Sequence, residues 1–494
     1  MKLGVLFEGF PALEKIHWNP SLSVQKITSD SRAVNPGDLF IACAGTRMDG
    51  RDFMLQSIQA GAAGVVYEGE TDIHFPSHVT GIRVQHARKA LAQLTRRFYG
   101  NPDQQMRIIA VTGTNGKTTI AYLLYRLIQE KCPAAYIGTL GAEWHKKKKE
   151  FSNTTPGPEI LFPLMHQMRR DHVAYCCIEA SSHALDQYRI YGMDFELAMF
   201  TQLTQDHLDY HKTMERYFQA KRYLFSRNPP PKKMLVNADC TFGRRLLDEF
   251  LGAKSFSITD AADYCAREIH TSFQGSRFEF HYDGRAIPFQ IRLPMAHNVS
   301  NLTAVLAALQ MLGFHPEEFK GALQEFTGIP GRLERVLAGQ PFDVFVDYAH
   351  TPDAIERVLR SARFMNPSRV ITVFGCGGDR DQKKRPLMAA AAAKYSDLVI
   401  MTSDNPRSED PEKILQDMRR GVPLDGGHRA EIVEILDRRE AIRFATETAK
   451  AGDVLFVLGK GHEDYQILGD VKIPFDDRFV IKECLQRKSR VFFS

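Results

Sequence analysis

The feature that most constrains this chain is a seven-residue turn, GTNGKTT, from Gly113 to Thr119. It follows an apolar strand candidate, Ile108 to Val111, and opens a helical segment from Thr118 to Glu130. A strand that passes through glycines straight into a helix is the start of a βα unit, and its glycines let backbone N–H groups face an anion while the helix N-terminus adds its dipole. Residues Gly113, Thr114, Asn115, Gly116, Lys117, Thr118 and Thr119 form such a cradle. Lys117 would reach the outer phosphates, and the Thr118 hydroxyl would face Mg²⁺. A glycine-rich turn without a ligand has the same composition, but the clear strand and helix on either side favour a nucleotide. The spacing GxxGK[ST] is shorter than the GxxxxGK[ST] form, which narrows the family.

Strands alternate with helical segments on both sides of this turn. Strand candidates are Asp38 to Ala42, Gly64 to Tyr67, Val173 to Glu179, Leu197 to Gln202, Met234 to Asn237, Val344 to Asp347, Val370 to Phe374, Leu398 to Thr402 and Val454 to Leu458. Helical candidates include Ala87 to Tyr99, Asp353 to Phe364 and Pro386 to Tyr395. This βα alternation predicts an α/β protein with a central P-loop, doubly wound, mostly parallel sheet. The turn-rich GNPDQQ (Gly100 to Gln105) and GIPGRLE (Gly328 to Glu334) mark boundaries, so three domains are expected at 1–100, 101–335 and 336–494, the last Rossmann-like. A length of 494 residues agrees with that number. The run Lys146 to Lys149 reads as a solvated loop.

Charge and cysteine content exclude several classes. A net charge of +5 suits anionic ligands and is too small to argue for nucleic acid. The 8 cysteines lack metal spacing, and the adjacent Cys176 and Cys177 sit in a buried strand, as in a reduced, cytoplasmic protein. The N-terminal apolar run is too short for a signal peptide. No stretch approaches the ~18 apolar residues needed to span a bilayer, so no membrane partner is expected.

Further motifs lie at strand ends. EASSHAL (Glu179 to Leu185) would put Glu179 where a doubly wound sheet faces its nucleotide, as a hard oxygen ligand for Mg²⁺; a surface Glu beside a capping Ser reads equally well in isolation. TQDHLDYH (Thr204 to His211), followed by Lys221, has two histidines and two aspartates and admits a zinc reading, though a loop beside a phosphate site suits Mg²⁺ better. DYAHTPDA (Asp347 to Ala354), FGCGGDRDQKKRP (Phe374 to Pro386), DNPR (Asp404 to Arg407) and GKGHEDYQ (Gly459 to Gln466) each follow an apolar strand. Loops after parallel strands share one edge, so these four predict a second polar cleft.

From DSR at Asp30 to Arg32 through GKGHEDYQ, this ordered set of motifs resembles the Mur ligases, and within them the branch that adds the third residue of a stem peptide. The resemblance implies a UDP-binding domain, an ATPase domain and a C-terminal amino-acid domain. It implies that Ser29, Ser31, Thr46, Arg47 and Met48, with Asn153, Thr154, Thr155, Ser181, Gln187 and Arg189, contact the UDP-linked substrate. Asn298 would contact adenine, with Arg332 and Asp347 also at the nucleotide. Lys117, Glu179, His207 and Lys221 would be catalytic, and Thr118, Glu179, His207 and Lys221 would serve the metal. Lys221 falls where the family carries an N6-carboxylated lysine, whose anionic oxygens suit Mg²⁺ better than an ammonium would.

The implied reaction is ATP-driven. A D-glutamyl carboxylate of UDP-N-acetylmuramoyl-L-alanyl-D-glutamate takes the γ-phosphoryl group, and an amine attacks the acyl phosphate. Arg380, Asp404, Asn405, Pro406, Arg407, Gly459 and Glu463 would hold that amine. Arginine suits the extra carboxylate of meso-diaminopimelate better than lysine does, and DNPR resembles the diaminopimelate version. The alternatives are an L-lysine-adding ligase, a folylpolyglutamate-type synthetase and a P-loop switch protein. A monomer is expected.

Overall fold

Near-continuous apolar strands, which must be covered on both faces, organise most of this chain. The structure, a computed structural model, describes residues 1–45, 48–422 and 430–492. It is α/β, and the described residues form three large sheets and a two-stranded hairpin, Tyr465–Leu468 with Val471–Pro474.

The first sheet has five strands. Ile27–Thr28, Leu39–Ile41, Gly64–Glu68 and Thr80–Val84 run parallel, and Glu14–Ile16 closes the edge antiparallel. The helix Ala87–Phe98 buries Leu91 and Leu94 against Leu39, Ile41, Val66 and Ile82. Phe40, Val65 and Tyr67 fill the opposite face with Met54.

The second sheet has eleven strands. Its centre is parallel, in the spatial order Lys254–Ser257, Lys233–Asn237, Leu197–Phe200, Arg107–Thr112, Tyr175–Glu179, Ala134–Gly138. The helix Lys117–Gln129 lies between this sheet and the helix Ala296–Met311, which explains why it is apolar almost all round. Pro158–Arg170 and Met214–Ser226 cover the other face.

Both edges depart from the expected parallel pattern. Tyr264–Ser272, Gly275–Tyr282 and Arg285–Ile291 form an antiparallel meander, and Gly141–Trp144 with Lys147–Lys149 extends the opposite edge. Burial alternates along Arg285–Ile291, as expected of a strand with one face toward solvent. The lysine run is therefore an exposed edge strand and not a loop, because its backbone pairs with Gly141–Trp144 while its side chains stay in water.

The third sheet has six strands. Asp343–Asp347, Val454–Leu458, Val370–Cys376, Leu398–Ser403 and Glu431–Glu434 are parallel, and the short Glu334–Arg335 pairs antiparallel at one edge. Pro352–Arg363, Lys384–Tyr395 and Pro411–Arg419 cover one face, Arg438–Thr448 and Asp477–Phe492 the other. Because its strands are parallel, the loops after Asp347, Cys376, Ser403 and Leu458 emerge at one edge, as the sequence predicts. No helix among the described residues is long and apolar enough to cross a membrane.

Candidate active site

The glycine turn has the backbone that its sequence demands. Gly113 has φ 146°, and a Cβ there would lie 1.8 Å from Thr201 Oγ1. Gly116 has φ 87°, and a Cβ there would lie 2.6 Å from Asn301 Oδ1. Only glycine fits either place without rearrangement. The loop after the neighbouring strand Leu197–Phe200 braces the turn. Thr114 N donates to Gln202 O at 2.7 Å, Thr201 Oγ1 donates to Asn115 O at 2.6 Å, and Thr204 N donates to Thr114 Oγ1 at 3.1 Å. Thr201, Gln202 and Asn301 lie beyond what the sequence reading found. The signal for the first two was their place after a strand adjacent to the turn's own.

Behind the cradle lies a buried carboxylate. Glu179 ends its strand with no exposed surface. Its Oε1 accepts from Tyr136 OH (2.5 Å) and Thr139 N (2.9 Å), and its Oε2 from Thr118 Oγ1 (3.0 Å) and Thr139 Oγ1 (3.2 Å). Burial, with the Glu179 charge beside it, pushes the Tyr136 phenol well above its ordinary value, so Tyr136 remains a donor. Arg332 Nη2 donates to Thr118 Oγ1 at 3.1 Å, bringing a cation to the same point.

Two lysines point at the turn, Lys117 half-buried and Lys221 buried. Lys117 Nζ donates to Gly113 O (3.0 Å) and Thr114 O (2.8 Å), and Lys221 Nζ donates to Gly113 O (2.8 Å). Burial depresses both ammonium groups, and the Lys117 charge depresses Lys221 further. His207, at φ 54°, has its Nε2 3.4 Å from Asp206 Oδ2. Although the His207 side chain is 43% exposed, partial desolvation at the rim of the turn lowers it to about 4, against the pull of Asp206 and aided by the charges of His183, Lys117 and Lys221. The other histidine of that motif, His211, spends Nε2 on Ser182 Oγ at 3.0 Å. No three His, Cys, Asp or Glu side chains converge as a metal cage among the described residues. That arrangement does not suit zinc. Thr118 and Glu179 offer hard oxygens that fit Mg²⁺, which takes few protein ligands and completes its shell with phosphate and water.

The predicted substrate residues gather beside Glu179. Thr155 Oγ1 donates to Glu179 O (2.6 Å) and accepts from Ser181 N (3.0 Å), while Thr154 Oγ1 lies 3.2 Å from Thr139 Oγ1. Arg189 reaches Thr155 O (2.7 Å) and Gln187 Oε1 (2.9 Å). Asn153 is exposed at the rim. Ser29 lies on the first unit, and its N–H donates to Glu159 Oε1 at 2.5 Å, at the start of the helix that follows Thr155. Ser31 begins the short helix Ser31–Ala33, capped by Asp30, and Met48 is exposed. Thr46 and Arg47 lie outside the described residues.

Asn298 is buried in the first turn of the helix that carries Asn301, and its Nδ2 donates to Pro294 O at 2.8 Å. The Asp347 carboxylate accepts from Leu333 N (2.7 Å) and Ala349 N (2.8 Å), tying the Arg332 segment to the third sheet. Burial raises the Asp347 carboxyl, opposed by Arg332 and by these backbone donors.

At the edge of the third sheet, Asn405 Nδ2 donates to Glu463 Oε2 at 2.8 Å. A Cβ on Gly459 (φ 111°) would lie 2.7 Å from Asp404 Oδ2. Arg407, at φ 53°, is locked by Arg407 N to Ile467 O (3.1 Å) and Gly469 N to Arg407 O (2.9 Å), and its Nη1 donates to Gly378 O (2.6 Å). Pro406 is buried and Arg380 exposed. Arg407 and Arg380 flank Gly377, where an added Cβ would stand 3.0 Å from Arg407 Nη1 and 3.7 Å from Arg380 Cγ. The two clefts meet through Asp353, whose Oδ2 accepts from Asn115 Nδ2 (3.2 Å), Thr204 Oγ1 (2.9 Å) and Arg357 Nη2 (2.7 Å).

Comparison with known proteins decides the family. Three family models match in chain order: a Mur ligase catalytic domain over residues 23–99, a Mur ligase middle domain over 111–309 and a Mur ligase, glutamate ligase domain over 331–461. A UDP-N-acetylmuramoyl-L-alanyl-D-glutamate–2,6-diaminopimelate ligase of Syntrophomonas wolfei subsp. wolfei is 40% identical over 469 residues, covering 94% of this chain and 95% of that protein. The chain belongs to the Mur ligase family. A second ligase of the same name, from Gloeobacter violaceus, is 42% identical over 95% of this Mur ligase and 96% of its own length. A solved structure bearing that name superposes with a TM-score of 0.70 at 33% identity, covering 99% of this chain and 100% of its own. As a Mur ligase the protein is an ATP-dependent ligase of peptidoglycan synthesis.

Proposed function

We propose that this Mur ligase joins meso-diaminopimelate to the D-glutamyl carboxylate of UDP-N-acetylmuramoyl-L-alanyl-D-glutamate through an acyl phosphate. The observation that carries the reading is the meeting of two polar clefts across Asp353, one around the glycine turn and Lys117 and one lined by Arg407, Asn405 and Glu463.

In this reading residues 1–100 and the Thr155–Arg189 cluster hold the UDP-linked dipeptide, residues 101–335 hold ATP and residues 336–494 hold the amine. Lys117 gives up its two backbone partners and donates to the transferring phosphoryl group, where charge spreads in the transition state. Arg332, already at Thr118, adds a second cation there. Asn298 and Asn301 sit on the side of the turn where the nucleoside would lie. When bound, Mg²⁺ would draw on Thr118 and Glu179, with His207 and a carboxylated Lys221 nearby, and would neutralise phosphate charge. Asp353 holds the amine cleft against the cradle, so the acyl phosphate forms where the amine can attack and water is excluded.

Arg407 favours diaminopimelate over L-lysine. Two backbone bonds pin Arg407 to the hairpin at Ile467 and Gly469, Gly378 O aims its guanidinium, and a planar fork suits the carboxylate that lysine lacks. Phosphate release with ATP, Mg²⁺, the UDP-linked dipeptide and either amine tests the proposal. Tripeptide formed with diaminopimelate and not with L-lysine supports it. Turnover with L-lysine alone refutes the role of Arg407, and no turnover with either amine refutes the substrates.

A further inference from the structure

Lys460 has no part in the reading above, yet it lies at the centre of the amine cleft. It follows Gly459 at the end of the strand Val454–Leu458 and has no exposed surface. A lysine sealed from water must be paired, since an unpaired buried ammonium is costly. Its partners are two residues of the amine cleft: Nζ donates to Glu463 Oε2 (3.0 Å) and to Asn405 Oδ1 (3.2 Å). The net is closed, because Asn405 Nδ2 donates to the same Oε2 (2.8 Å) and Asn405 Oδ1 also accepts from Ile467 N (3.0 Å).

The two oxygens of Glu463 are therefore unlike. Oε2 takes both donors, while no group among the described residues donates to Oε1. A carboxylate held by two donors on one oxygen cannot turn freely about its last bond. The oxygen left over is aimed by the net and ready for a ligand. Lys460 cannot meet the substrate itself, because its ammonium is enclosed by the residues it holds.

We infer that Lys460 is a positioning residue for the amine substrate: with Asn405 it fixes Glu463 so that Oε1 is presented to the incoming ammonium group. Its charge also balances Glu463 in the empty cleft, where a desolvated carboxylate alone would be expensive. Preorganisation of this kind lowers the ordering cost of binding the amine and leaves the nucleotide step untouched. The inference rests on the proposal that Glu463 receives the amine.

The test separates two half-reactions of the full-length protein. Acyl phosphate formed from ATP and the UDP-linked dipeptide is trapped with hydroxylamine in the absence of amine, and ligation is then followed against diaminopimelate concentration. Failure of the wild-type protein to give the trapped product refutes the proposed function itself. Given that product, Lys460→Met is expected to form it within twofold of wild type, with KM for the amine raised at least tenfold and KM for ATP unchanged. Combining Lys460→Met with Glu463→Gln is expected to cost little more than Glu463→Gln alone, because Lys460 acts through that carboxylate. Lys460→Gln, which keeps an amide donor and loses the charge, gives the same comparison if Lys460→Met does not fold. An amine KM within twofold of wild type, or two effects that multiply, overturns the inference.

Discussion

Lys117 and Lys221 donate hydrogen bonds to one and the same oxygen, the carbonyl of Gly113. Burial, and after it the neighbouring Lys117 charge, holds the Lys221 ammonium well below its ordinary range and so moves it toward the neutral amine. A neutral amine is the form that reacts with CO₂. Protein stripped of CO₂ is expected to lose activity and regain it with bicarbonate, and ¹³C-labelled bicarbonate should give a carbamate signal absent from Lys221→Met. That variant should lose roughly a hundredfold or more in kcat, as when a charge-stabilising group is removed. A wild-type enzyme indifferent to bicarbonate would show that Lys221 works as an amine.

Gly113→Ala tests the cradle. The new methyl group would stand 1.8 Å from Thr201 Oγ1, on a backbone at φ 146° that other residues avoid. The turn must shift by more than hydrogen bonds to phosphate tolerate. Calorimetric ATP affinity should fall more than tenfold while the far-UV circular dichroism spectrum stays as in wild type. Unchanged affinity would mean that phosphate binds elsewhere.

Arg407→Lys should raise KM for diaminopimelate by about tenfold, since lysine keeps the charge and loses the planar fork. Acyl phosphate formation without amine should be unaffected. Gly378→Ala reaches the same guanidinium indirectly, because its Cβ would lie 1.8 Å from Pro406 O and Gly378 O is the acceptor that aims Arg407. Equal losses in both half-reactions would assign Arg407 to the fold.

His297 predicts a pH dependence of stability. Its Nδ1 is buried without a partner, and burial lowers its pKa from 6.5 to about 3, with the Arg357 charge assisting. Between those values the unfolded chain binds a proton that the folded chain refuses, so stability falls as pH drops below about 6.5 and the loss is complete near pH 3. At pH 5 one such group costs on the order of 1 to 2 kcal/mol. His297→Met should flatten the fall in Tm between pH 7 and pH 5 measured by calorimetry. An unaltered slope would place the acid sensitivity in other groups.

The cradle could be read from the sequence because seven consecutive residues build it, and Glu179 because a strand delivers it to a predictable edge. DNPR and GKGHE were likewise contiguous, and parallel strands brought them together. The sequence could not show residues whose role depends on neighbours far along the chain. Asn301 meets Gly116 only because two helices pack, and Asp353 meets Asn115 only because the third sheet approaches the second. Lys460 was in plain view within GKGHE, but nothing local says that a lysine there is sealed from water. The edge hairpins escaped for another reason: their one-sided burial leaves an alternation weaker than the solid apolar runs of the central strands. Asp347 was legible as a strand-end acid, but its bonds from the backbone N–H groups of Leu333 and Ala349 depend on how the chain turns around it.

The strand Lys147–Lys149 gives the eleven-stranded sheet an end. A sheet edge is an open row of donors and acceptors on which another molecule's strand can grow. Three exposed lysines side by side make that growth electrostatically uphill, since a second copy would bring the same row of charge. Replacing them with threonine would leave catalysis alone and make the protein clump as its concentration rises.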